Sequence, residues 1–160
     1  MLRTKRTRSV GAAWTMAVVL GGAAAAPAGT LAPRVTVESQ SRKDHLLMLM
    51  TANLVMNAGL RRAEVDRALV AVDRHLEQRL KAGMPAVLYP EVVISITRAA
   101  LLRGWSGGEA ASVLLDVLTR IDYEGRSPEL TRRAAIVGIT SNLKPAAVVA
   151  ALGGLGDPRE

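Results

Sequence analysis

Two histidines, His45 and His75, and three groups of carboxylates carry the side chains that acid–base or metal chemistry would need. A hydrolytic site requires a nucleophile with a base in reach. The serines here stand in no Gly-x-Ser-x-Gly setting, and the chain has no cysteine. His45 precedes an apolar helical stretch, and His75 falls between the apolar and charged faces of a predicted helix, so both read as packing residues. Glu64/Asp66, Asp73/Glu77 and Asp122/Glu124 are interleaved with arginines and read as solvated ion pairs rather than metal ligands. Glu77 with Lys81 and Asp116 with Arg120 have the favourable i, i+4 order. The expectation is a non-enzymatic protein with no metal and no cofactor. An enzyme of hydrolase type with a site assembled from dispersed Ser, His and carboxylate groups is the alternative.

Gly104-Trp-Ser-Gly-Gly108 opens a predicted helix and has the backbone freedom to cradle a phosphate on unpaired N–H groups. No Gly-Lys-Ser/Thr follows, and Glu109 in the first helical turn would repel an anion. A hairpin turn is the simpler reading.

The helices that hold these residues repeat. Gly59, Gly104 and Asn142 each follow an apolar helical stretch, and Leu69, Leu114 and Leu152 come ten residues after each. Leu60, Trp105 and Leu143 follow the marker directly, while Leu54, Ala99 and Val137 precede it in register. Glycine and asparagine tolerate the left-handed conformation that ends a helix, which gives the column a mechanical cause. Gly83-Met-Pro85, Gly125-Arg-Ser-Pro128 and Gly156-Asp-Pro158 are further stops, and Pro90-Glu91 and Pro128-Glu129 suit helix starts.

The chain is therefore expected to be all-α, with helices near 45–58, 63–80, 91–103, 109–121, 129–141 and 145–153 forming three helix-turn-helix hairpins. Marker spacings of 45 and 38 residues fit a short solenoid-like array, and a compact six-helix bundle uses the same hairpins. The second helix has Val65, Leu69, Val72, Leu76 and Leu80 on one stripe, so it reads as an outer helix. The third and sixth are apolar nearly all round, which suits a central place or contact with a partner. Val92 to Ile96 is rich in β-branched residues, but its place in the repeat argues for helix.

Stacked hairpins would line their turns along one edge. That edge holds Arg61, Arg62, Arg103, Trp105 and Lys144, the expected binding residues for an anionic polymer, lipid head groups or an acidic protein face. A structural account competes with this one. The residue after a glycine stop folds back on the last turn, Ala99 and Ala100 leave room for the Trp105 indole, and cations answer the negative end of a helix dipole. The helix-turn-helix outline does not suggest DNA, because the stretches 110–121 and 146–152 are nearly devoid of side chains that read base edges.

Arg3, Lys5, Arg6 and Arg8 precede an uncharged stretch ending Ala26-Pro27-Ala28, the layout of a secretory signal peptide. Residues 1–28 are expected to be removed after Ala28, residues 29–44 to form a flexible leader, and residues 45–160 to form the helical domain. No cysteine follows the apolar stretch, so no lipid anchor is expected, nor a stable transmembrane anchor after cleavage. The full chain carries 21 Lys+Arg against 14 Asp+Glu, and loss of four leading cations leaves a net charge of +3. Nucleic acid is not an expected partner. The sequence thus reads as an exported interaction module, periplasmic or secreted, that binds an envelope protein or anionic component. A subunit that assembles with copies of itself through its third and sixth helices is a further alternative.

Overall fold

A computed structural model describes residues 34–154. The expected signal peptide and its cleavage point, and the stop at Gly156-Asp-Pro158, lie outside the described residues. Within them the chain is mostly helical: β1 (Val35–Val37), α1 (Gln40–Met56), α2 (Arg62–Lys81), β2 (Ala86–Leu88), α3 (Pro90–Leu102), α4 (Gly107–Tyr123), α5 (Pro128–Thr140) and α6 (Pro145–Gly153).

The helix ends follow from local chemistry. Gly59, Gly83, Gly104 and Gly125 all have positive φ, and Asn142 takes φ 63° in the same role. The amide of Trp105 returns to the carbonyl of Ala100 and that of Leu143 to Gly138, each at 3.1 Å, which closes the final turn in the manner of a Schellman stop. Proline occupies the first turn of α3, α5 and α6. Ser106 and Glu109 form a reciprocal capping box on α4, and Ser127 caps α5.

Side-chain periodicity then sorts the helices into two layers. α2 packs chiefly on α4, and α4 on α6; α1 touches α3, and α3 packs on α5. Within a layer the helices run parallel. Glu64 of α2 meets Gly107 at the start of α4, and His75 meets Asp122 near the end. Glu91 lies 3.9 Å from Arg132, and Arg103 bonds the Thr140 carbonyl, so α3 and α5 also share one direction. The core between the layers includes Leu54, Val72, Val93, Ile96, Leu114, Leu118 and Ile139, each fully or almost fully buried.

One expectation needs correction. The segment Arg34–Asp44 is not a leader. Its strand pairs antiparallel with β2, Val35 opposite Leu88 and Val37 opposite Ala86, and α1 starts at Gln40 with Ser39 as its cap. Val37 is 1% exposed because Ala86 and Leu88 complete the core face beside it. An isolated strand cannot satisfy its edge, but the partner here is supplied by the connection between α2 and α3. Of the two places left open for the apolar α3, the central one holds, and no second copy is needed to explain it. Val92, Val93, Ile96, Thr97 and Ala100 are buried, and α3 is packed on by α1, α2, α4 and α5. Of α6, only Val148 and Leu152 are buried, while Ala146, Ala147, Ala150 and Ala151 face solvent.

Candidate functional site

The turns after α1, α3 and α5 carry the expected binding residues, and two contacts bring those turns together. The Gly107 amide donates to the Glu64 carboxylate at 2.6 Å, joining the first and second turns. The Arg103 guanidinium donates to the Thr140 carbonyl at 3.2 Å, joining the second and third. Arg61 and Arg62 stand out from the first turn with side chains 85% and 78% exposed. Each has a loose acidic neighbour, Glu64 at 3.9 Å for Arg61 and Asp66 at 3.6 Å for Arg62. Lys144 caps the start of α6 and is exposed. Neither Arg103 nor Lys144 has an ion-pair partner among the described residues.

Trp105 sits differently from the four cations. It is half-buried and packed against the core, and its amide closes the end of α3 on the Ala100 carbonyl. The glycine-rich stretch before α4 is likewise occupied from within. Glu64 takes the Gly107 amide, and the Glu109 carboxylate accepts from the Ser106 amide at 2.8 Å and its hydroxyl at 2.9 Å. Those bonds from Ser106, the backbone one foremost, hold the Glu109 carboxyl below its usual range. Two carboxylates already stand where a phosphate would have to sit.

A second polar cluster lies at the opposite end of α2 and α4, and the sequence reading of Asp122 as a solvated group does not hold there. His75 Nε2 and Asp122 Oδ2 are 2.6 Å apart, with side chains only 3% and 5% exposed. Arg79 lies 3.7 Å from the same carboxylate, donates to the Pro85 carbonyl at 3.1 Å, and stacks over the Tyr123 ring at 5.3 Å. The Tyr123 ring meets His75 edge-on, its centroid 6.2 Å away. Burial, and then the Asp122 charge, push the Tyr89 hydroxyl pKa above its ordinary value. His75 is thus a buried packing residue with an oriented ring, and His45 is exposed on α1. Asp73 also escapes the solvated-pair reading: its partner is Lys43 of α1, whose side chain is 2% exposed. Glu77–Lys81 at 2.9 Å and Asp116–Arg120 at 2.6 Å form as their spacing implies.

Among the described residues no group of three or more His, Cys, Asp or Glu is placed to hold a metal ion, and no helix is long and apolar enough to cross a membrane. Comparison with protein-family models, with curated proteins and with solved structures finds no match.

Proposed function

We propose that this chain is an exported, non-enzymatic interaction module: a short solenoid-like array of three hairpins that binds an anionic envelope component through its turn edge. Alternation of two parallel helical layers supports the array over an arbitrary bundle, since each hairpin packs on the next in the same orientation. One observation carries the binding role. The Glu64–Gly107 and Arg103–Thr140 contacts set three turns side by side, so that Arg61, Arg62, Arg103 and Lys144 belong to one edge. Exposed ion pairs contribute little, so the neighbours of Arg61 and Arg62 leave both cations available to a polyanion. Trp105 anchors the edge from beneath.

The test is retention of the exported chain on vesicles with and without anionic lipid, at low and moderate salt. Retention on the anionic vesicles should fall with salt, and should be lost when Arg62, Arg103 and Lys144 are replaced together by Ser. Undiminished retention of that triple variant would refute the edge. Amino-terminal sequencing of the chain recovered outside the cytoplasm should begin at Gly29.

The hydrolase reading has one observation in its favour. Asp122 orients His75 as a carboxylate orients a catalytic histidine, and Ser112 lines the same groove as His75. The Ser112 hydroxyl, however, donates to the Glu109 carbonyl of its own helix at 2.8 Å. That reading requires ester hydrolysis that Ser112→Ala abolishes.

A further inference from the structure

The layer formed by α2, α4 and α6 leaves a groove of about 490 Å³ open between α2 and α4. Its apolar wall and floor come from Val70, Ala71, Ala111 and Leu115, and Val70 and Leu115 are 42% and 45% exposed. The α4 side is low. A Cβ added at Gly108 would meet nothing within 4 Å, and Ser112 follows one turn later. His75 closes the base, its ring held from behind by Asp122.

Charge decides what fits there. The ionisable side chains of the lining are Arg67, Arg74 and His75, and no carboxylate is among them. Arg67 is partly answered by Glu64 at 2.7 Å. Arg74 is exposed and has no ion-pair partner among the described residues. An apolar trough with low walls and a cationic rim complements an amphipathic helix whose apolar stripe enters the trough and whose flanks carry acids. From Arg67 to Gln78 the lining extends about 16 Å along α2, enough for roughly three turns of a bound helix. A flat anionic surface could not follow the trough inward, whereas a helix can.

We propose that the α2/α4 groove is the docking site for an acidic amphipathic helix of a partner protein. The site uses none of the turn-edge cations and stands independently of the edge.

The experiment titrates the full chain with two synthetic helical peptides of about fourteen residues. Both carry leucines at i, i+3, i+4 and i+7, and the polar face is Glu-rich in one and Lys-rich in the other. The Glu peptide should bind at least about tenfold more tightly by fluorescence anisotropy. Its backbone amide shifts should be confined to α2 and α4. Arg74→Glu should reverse the preference, and Ser112→Trp should fill the trough and remove binding. Arg103→Ser with Lys144→Ser should leave the peptide affinity unchanged, which separates this site from the turn edge. The proposal is overturned by equal affinity for the two peptides, by binding of neither, or by shifts at the turn edge. Self-association of the unmodified chain that Ser112→Trp or Arg74→Glu relieves would place a second copy in the groove and overturn it as well.

Discussion

The main-chain amide of Gly107 donates to the Glu64 carboxylate at 2.6 Å, which seats the first turn of α4 directly on the first turn of α2. The approach leaves no room for a side chain. A Cβ at position 107 would lie 2.3 Å from the Glu64 carbonyl oxygen and 2.7 Å from the Arg67 Cβ. Gly107→Ala should therefore cost about 1–3 kcal/mol, seen as a lower urea midpoint at unchanged slope. Gly108 points into open space, so Gly108→Ala should be neutral or add up to about 1 kcal/mol. Equal effects of the two substitutions would contradict the close contact.

The buried His75–Asp122 pair joins the far ends of the same two helices. Asp122→Ala removes the carboxylate that His75 and Arg79 both face and leaves buried polar atoms without their partner. It should destabilise by about 1–3 kcal/mol. In a double-mutant cycle with His75→Ala the two losses should overlap rather than add, because each variant deletes the same bond. Strict additivity would show the pair to be energetically silent.

Acid should weaken the start of α5. The hydrogen bond from Arg132, and next that from Arg133, holds the Glu129 carboxyl at about 2 against an ordinary 4.5. A carboxyl whose pKa is depressed by folding stabilises above its unfolded value, and the gain is lost as pH falls through the folded value. The melting-temperature difference between the unmodified chain and Glu129→Gln should thus be flat above pH 4.5 and close towards pH 2. Its size will be modest, since Arg133 is 69% exposed and water screens the pair. A difference that persists unchanged to pH 2 would assign the effect to something other than ionisation.

Asn142 carries the left-handed turn that glycine serves at the equivalent ends of α1 and α3. Left-handed backbone costs residues with a Cβ about 1 kcal/mol, less for asparagine. Asn142→Gly should be neutral or slightly stabilising, and Gly59→Ala, which has open space but φ of +64°, should lose about 1 kcal/mol. Thermal melts of the two variants should move in opposite directions or, for Asn142→Gly, not at all. A loss from Asn142→Gly equal to that from Gly59→Ala would contradict a backbone cause.

Those helix ends were readable from the chain alone because their cause is local: a residue that tolerates positive φ, and a proline followed by a glutamate in the first turn. The i, i+4 pairs Glu77–Lys81 and Asp116–Arg120 were readable for the same reason. What local spacing cannot convey is which distant group a charge will meet. Asp73 and Asp122 sit among arginines in sequence, yet α1 brings Lys43 to the first and α2 brings His75 to the second. The partner of β1 was hidden likewise, since it is a three-residue strand in the link after Gly83. For the candidate edge, the turns could be listed from the repeat. The inward fold of the Trp105 indole followed from the glycine stop before it, whereas the bonds that join the turns follow only from packing.

The strand pair has a mechanical consequence. The helices pack on their own hairpin partner or on the next hairpin, but β1 must reach across the whole of α1 and α2 to find β2. Closing so wide a span is entropically dearer than pairing two helices across a short turn, so this seam, like the contacts between α2 and α4, should form after those pairs. β1 is also the first element of the described residues, so tension applied at Arg34 would load this seam before any helix. Under tension the seam should peel open, baring Ala86 and Leu88, before any helix surrenders its register.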